Sequence, residues 1–441
     1  MQIKERMPRK KADHSAILHM ATKRMRWSNT FRISISLRDK IDPEILQCAL
    51  EAVAPRFPYL FSGVRAGLFW YYLEPVDAVA PATPDKQNPL EYMSSSAVRK
   101  QAIRILYGEN SIAVEPYHSI TDGYGCLVFL KTFVAEYITL RYGTHISNFH
   151  DKKCIEEGPQ PREYEDSFSH HANDAFSLEN VVPSAFLPSF KKTSSTEVST
   201  GIFDVNELLA IARSFGVTIT TLFSAAMMDA LQMVQSHHMP LREQWKPVRV
   251  AVPIDLRNLY DSDTLHNFTM YAMPEIDPRA VDYDFDELLH ITQHQIDMQR
   301  SVEYMSAQIG NNVRLEQHPI VQRLPLPIKK LGLKAGLFLY GDRKYCLSIS
   351  NLGPVQFPPE MSSYIRRIDF MLTPKVDTLY NCGAISFDGK LYFNITRKTN
   401  DVELADQFFD KLSLLGVRIK RESSESLAGR TDELVRKPQL A

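Results

Sequence analysis

Hydrophobic and polar positions alternate with a period of two over Thr30–Leu37, where Phe31, Ile33, Ile35 and Leu37 share one face, and this predicts a β-strand. Asp42 and Pro43 open a predicted helix through Phe57, with Asp42 as N-cap and Pro43 at the first helical position. Leu68–Leu73 reads as an aromatic strand. Arg99–Leu106 and Ser111–Tyr117 read as two more strands, separated by Gly108-Glu109-Asn110. From Tyr124 to Tyr142 the apolar residues Leu127, Leu130, Val134 and Ile138 recur at helical spacing, and Gly143 ends the run.

Between about residues 148 and 200 the periodicity dissolves into a stretch with Pro161, Pro183, Pro188 and many serines. Connections of this length are usually functional or mark a boundary. Beyond it, Val205–Phe215 and Thr220–Val234 are predicted helices, the second nearly apolar and therefore buried. Val248–Pro253, Tyr345–Ser350, Gly383–Phe387 and Leu391–Ile395 are predicted strands, the last two joined by a hairpin turn at Asp388-Gly389. Asp284–Gln299 and Val402–Leu415 complete the predicted helices. The pattern is two α/β halves, residues 1–160 and 200–420, joined by a crossover linker at 161–199. A polar tail at 421–441 is expected to be disordered.

Composition narrows the function classes. With 44% hydrophobic and 23% charged residues the 441-residue chain is ordinary globular material. Its 51 Lys+Arg against 52 Asp+Glu lack the basic excess of a nucleic-acid binder, so no nucleic-acid partner is expected. Five widely spaced cysteines with no Cys-x-x-Cys pair argue against a disulfide framework or a structural zinc site, and point to a reducing, cytoplasmic setting. No apolar run of signal-peptide length follows the basic start (Lys4, Arg6, Arg9, Lys10, Lys11), and stretches such as Gly67–Leu73 and Cys126–Leu130 are too short to cross a bilayer. That basic start reads either as a solvated terminus or as a contact for an anionic membrane surface.

The most informative segment is Tyr117-His118-Ser119-Ile120-Thr121-Asp122-Gly123. It sets a His at a strand end, an Asp four residues later and a Gly at the turn into a helix. One reading is a His projecting into a cleft, with Gly123 permitting the turn and Asp122 anchoring the loop. The other is a core His beside an Asp helix cap.

This segment resembles the His-His-x-x-x-Asp-Gly motif of the CoA-dependent acyltransferase superfamily, which spans chloramphenicol acetyltransferase, alcohol acetyltransferases, plant acyltransferases and condensation domains. Tyr117 stands where many members have the first His. Val252-Pro253-Ile254-Asp255-Leu256-Arg257 with His266-Asn267-Phe268 resembles the second-half Val-Pro-x-x-x-Arg … Gly-Asn-Phe stretch, His266 replacing the Gly. Ser350-Asn351-Leu352-Gly353 resembles the Ser-Asn-x-Gly strand end, and Ile368-Asp369-Phe370 sits where plant members carry Asp-Phe-Gly-Trp-Gly.

The resemblance implies an α/β fold of two chloramphenicol acetyltransferase-like sandwich subdomains with an active-site tunnel between them. It implies His118 as the catalytic base, an Asp122–Arg257 salt bridge holding the loop, Gly123 as structural, and Asn351 or Ser350 (with the Gly123 amide) as oxyanion or substrate contacts. The implied reaction is transfer from an acyl-CoA, such as acetyl-CoA, to a small alcohol, without a permanently bound cofactor or metal. A stand-alone condensation-type amide synthase using an amine acceptor and thioesters borne by a carrier protein is the alternative. A non-catalytic thioester- or partner-binding relative is a third reading.

Other signals compete weakly. His290 and His294 have a metal-chelating spacing, but Ile291 replaces the Glu that a metalloprotease helix needs, so a solvated face is expected. His170-His171 and His237-His238 read as surface loops. The run Phe69-Trp70-Tyr71-Tyr72 reads as core packing.

Overall fold

The computed structural model describes residues 8–13, 20, 29–86, 88–172, 185–336, 344–375 and 378–423, with backbone alone at 315, 316 and 333–336. The predicted first strand forms over Phe31–Leu37 and lies inside a five-stranded sheet. The order is Ile365–Leu372, Phe31–Leu37, Ser111–Pro116, Ile103–Tyr107 and Thr83–Pro84. Its alternation breaks down in burial, because Arg32 and Ser34 on the polar face are covered too. Burial of Arg32 is tolerable because Asp85 and Glu115 flank its guanidinium.

Helix Pro43–Val53 starts at Asp42, whose carboxylate accepts hydrogen bonds from the Glu44 and Ile45 amides. It packs against the 20-residue helix Gly123–Tyr142, which Gly143 ends at φ +66°. That second helix is long and apolar enough to cross a membrane, which the short-stretch expectation overlooked. Most of it is buried in the core between the first-half elements.

The second half is an eight-stranded sheet. Its main path runs Thr269–Ala272, Val248–Asp255, Leu347–Pro354, Tyr380–Phe387, Lys390–Thr399, Lys192–Asp204 and Ile419–Ser423, and Glu275–Ile276 also pairs with Val248–Asp255. Helix Ile219–His238, also 20 residues, packs on it with helices Phe285–Gln299 and Glu403–Leu414. The hairpin turn at Asp388-Gly389 has φ +48° and +69°, both left-handed, as a tight antiparallel turn demands.

Several expectations shift. Residues 192–199 are not linker, since Lys192–Asp204 is a 13-residue strand. Its sequence is mostly Ser, Thr and Lys, so hydrophobic alternation could not reveal it. Pairing with Lys390–Thr399 on one side and Ile419–Ser423 on the other completes its ladder. The latter strand also takes residues 421–423 out of the expected tail, whose remainder (424–441) lies outside the described residues.

The two halves are also not separate sheets. Ile365–Leu372, from the second-half sequence, pairs antiparallel with Phe31–Leu37, with Ile368 opposite Ile35 and Phe370 opposite Ile33. The stretch read as strand Arg99–Leu106 begins as helix Ser95–Lys100, because the Ser94 side chain caps the Ala97 amide. The aromatic strand starts at Tyr71. Gly67 to Trp70 form a turn that leaves Leu68 and Phe69 exposed, so only part of the aromatic run is core.

Of the paired histidines only His171 lies outside a helix. His170 closes a short helix, Ser167–His170, and His237 and His238 end helix Ile219–His238. Both of the latter contact Glu403, at 2.7 and 2.9 Å. His290 and His294 are exposed on helix Phe285–Gln299.

Candidate active site

His118 follows directly on strand Ser111–Pro116 and on Tyr117, which is fully buried and bridges Thr30. The His118 amide donates to the Asn29 carbonyl at 2.7 Å. Its ring meets the Phe31 ring edge-on, with centroids 4.9 Å apart. The loop then turns into helix Gly123–Tyr142, whose N-cap is Asp122.

Both oxygens of the Asp122 carboxylate accept hydrogen bonds. Oδ1 accepts from the Gly125 amide at 3.1 Å. Oδ2 accepts from Arg257 Nη1 at 2.9 Å, the Phe268 amide at 2.9 Å and the Thr269 hydroxyl at 3.2 Å. Arg257 also donates to Asp255, to the Thr264 carbonyl and, at 2.6 Å, to the His266 carbonyl, and it lies over the Tyr124 ring. Burial opposes its charge, but Asp122 and Asp255 together hold its pKa above the ordinary value. The pair thus locks the segment 264–269 of the second half onto the His118 loop of the first.

Asn267, part of a resemblance motif but assigned no role from the sequence, completes the arrangement. Its Nδ2 donates to the His118 carbonyl at 2.8 Å, and its Oδ1 lies 2.9 Å from His118 Nδ1. Only the amide nitrogen can donate to a carbonyl, so Oδ1 must face the ring and Nδ1 must carry the proton. The basic nitrogen of the neutral imidazole is then Nε2. Burial lowers the His118 pKa below the usual histidine value, and Lys375 adds to this. The hydrogen bond to Asn267 and the charge of Asp122 act in the opposite direction. The ring is neutral at pH 7.

His266 faces away from this chemistry. Its Nδ1 lies 3.1 Å from the Ile120 carbonyl, its ring packs near Tyr59 and Tyr164, and burial with the nearby Lys10 charge lowers its pKa to about 4.

Gly123 does not have a left-handed backbone, so its expected role in permitting the turn is not seen. A Cβ there would meet only the Leu352 side chain, at 2.6 Å. Gly125 is the tighter position, with a Cβ falling 2.2 Å from the Leu265 carbonyl oxygen.

A cavity of about 960 Å³ opens at His118, lined from both halves by residues including Tyr124, Leu127, Tyr271, Ser350 and Phe370. Asp122, Gly123, Arg257 and Asn351 also reach its wall, so the structure gathers every sequence-derived site residue at one place. The Asn351 side chain is already engaged. It donates to the Thr220 hydroxyl at 3.2 Å and accepts from the Gly353 amide at 2.9 Å, shaping a strand end where Gly353 has φ +75°. Arg300, Lys344 and Lys375 add positive charge to the same wall.

No protein-family model and no curated protein matches the chain by sequence. Solved structures do match. Polyketide synthase associated protein 5 from Mycobacterium tuberculosis superposes with a TM-score of 0.57 at 14% identity, over 92% of this chain and 96% of that one. The trichothecene 15-O-acetyltransferase from Fusarium sporotrichioides gives 0.58 at 12% identity, over 92% and 94%. The first condensation domain of the calcium-dependent antibiotic synthetase gives 0.57 at 11%, over 94% and 100%. At these identities the likeness is one of fold. It is the two-halved, chloramphenicol acetyltransferase-like α/β fold that condensation domains share with this acetyltransferase.

Proposed function

We propose that the protein is an acyltransferase that moves an acyl group from a thioester, with acyl-CoA as donor, directly to an alcohol. The observation that carries this reading is the placement of a neutral His118, with its tautomer set by Asn267, on a cavity lined from both halves. His118 Nε2 takes the proton of the acceptor hydroxyl as the oxygen attacks the thioester carbonyl. The tetrahedral intermediate then collapses, the carbon–sulfur bond breaks, and the imidazolium returns the proton to the departing thiolate. General-base assistance of this kind contributes about 10²–10⁴-fold.

The Asp122 carboxylate serves the Gly125 and Phe268 amides and Arg257, so its role is to hold the loop through Arg257, not to act as a triad acid. For the developing oxyanion we assign Ser350, the Gly123 amide at the helix N-terminus and the second N–H of the Asn351 amide, whose first goes to Thr220. Arg300, Lys344 and Lys375 match the phosphates of a CoA or phosphopantetheine arm in charge.

The test is a free-thiol assay with acetyl-CoA and a panel of alcohols and amines, run beside the same acyl group on a carrier protein. Acceptor-dependent thiol release that disappears in folded His118→Ala supports the proposal. Release only from the carrier-bound donor with an amine moves the reading to a condensation-type amide synthase. Absence of release with every donor points to a binding protein.

A further inference from the structure

Two features of the sequence have no part in the cavity: the basic start of the chain and the aromatic run at 69–72. The fold joins them to a third, the helical pair Pro319–Arg323 and Leu326–Gly336. Strand Lys10–Lys11 pairs with Tyr71–Pro75, setting Lys11 opposite Tyr72. The Leu326 amide donates to the Leu68 carbonyl at 2.8 Å, and Lys329 Nζ donates to the Phe69 carbonyl at 3.0 Å. Trp70 is clasped between two ammonium groups, with Lys11 and Lys329 Nζ 3.7 and 3.4 Å from its ring centroid. Lys330 lies over Tyr71 and Arg9 over Tyr72.

Around this clasp stand Leu68, Phe69, Ile320, Ile328 and Leu331, all exposed, with Leu68 at 68% and Leu331 at 71%. Such values belong to side chains that project outward and do not line a groove. Charge on the same face is segregated. Residues 8–12, 64–73 and 317–336 contain no Asp or Glu, although the whole chain is balanced at 51 cations to 52 anions. Arg65 is offset by Glu74, and Lys10 feels Asp13, Asp166 and Glu165. The excess rests on Arg9, just before the first strand, and on Arg323 and Lys330 from the helical pair.

We propose that this face docks on an anionic lipid bilayer. Projecting apolar side chains ringed by Lys and Arg beside an amphipathic aromatic are suited to the headgroup boundary. A bilayer takes up Leu68, Ile328 and Leu331 without offering a matched pocket, and its phosphates satisfy the surrounding cations. An acidic protein partner would complement the charge, but it would also need recesses for side chains this prominent.

The test is co-sedimentation of the full chain with phosphatidylcholine vesicles and with the same vesicles carrying about one-third phosphatidylserine. The expected result is binding to the anionic vesicles only, weakened by salt. It should fall by about tenfold or more in Ile328→Asp/Leu331→Asp and in Arg323→Glu/Lys330→Glu, with melting temperatures unchanged. If the apolar pair unfolds the protein, the charge-reversed pair, which leaves Ile328 and Leu331 in place, decides the matter. Binding that ignores the lipid charge, or that neither variant weakens, overturns the proposal. So does a concentration-dependent dimer that Ile328→Asp/Leu331→Asp dissociates, because a second copy would then occupy the face.

Discussion

Asn267 and His118, 149 positions apart, grip each other twice: the amide nitrogen holds the His118 carbonyl, and the amide oxygen lies against Nδ1. The clasp joins the two halves and selects the imidazole tautomer in the same stroke. Asn267→Ala should therefore reduce kcat by roughly tenfold to a hundredfold, less than the full loss of general-base assistance because the imidazole itself remains. Because the hydrogen bond to Asn267 favours protonated His118, removing it should also move the acid limb of the kcat/KM profile to lower pH. A limb that stays in place would assign Asn267 to packing alone.

His118→Ala should lower acyl transfer by about 10²–10⁴-fold, measured as thiol release. Wild-type activity should be level near pH 7 and decline only below the usual histidine pKa, because burial depresses that of His118. A decline centred above the usual value would contradict a buried neutral base.

Asp122→Ala should both inactivate and destabilise. Removing one partner of a buried ion pair typically costs about 3–5 kcal/mol, and here two backbone amides lose their acceptor as well. Urea denaturation of Asp122→Ala, Arg257→Met and the double variant checks this. The double variant should be less unstable than the sum of the singles, since neither Asp122 nor Arg257 is left facing a missing partner, and the loss of the Asp255 contact is common to both Arg257 variants.

Stability should fall as the pH drops from about 6.5 toward 4, owing to His266. Its folded-state pKa, about 4, lies below the unfolded value, so the unfolded chain takes up the proton first and folding weakens across that window. The full effect is about 3 kcal/mol, and it is absent above pH 7. His266→Gln should flatten the curve between pH 6.5 and 4, read from urea midpoints at several pH values.

Gly125→Ala should be far more damaging than Gly123→Ala. At 125 the new Cβ strikes the Leu265 carbonyl oxygen, whereas at 123 it strikes the end of a Leu side chain that can rotate. Overpacking of this kind costs about 1–3 kcal/mol, with Gly125 expected at the upper end and Gly123 at the lower. Thermal melts of the two variants compare them directly.

Much of this was legible in one dimension because the forces involved act over a few residues. The Asp42 cap, the helix stop at Gly143, the Asp388-Gly389 turn and the two central helices follow from spacing and backbone chemistry alone. The His118 loop was legible for the same reason: a strand end, an N-cap and a helix start lie within seven residues.

Tertiary structure decided what depends on partners distant in the chain. Lys192–Asp204 is a strand because neighbours on both sides complete its hydrogen bonds, which its polar sequence does not announce. Ile365–Leu372 joins the first-half sheet because the edge of Phe31–Leu37 offers it a ladder. The meeting of Arg257 with Asp122 was expected from the resemblance, but the tautomer of His118 was not. A ring proton is placed by whichever acceptor the fold brings within reach, and here that acceptor is the Asn267 side chain.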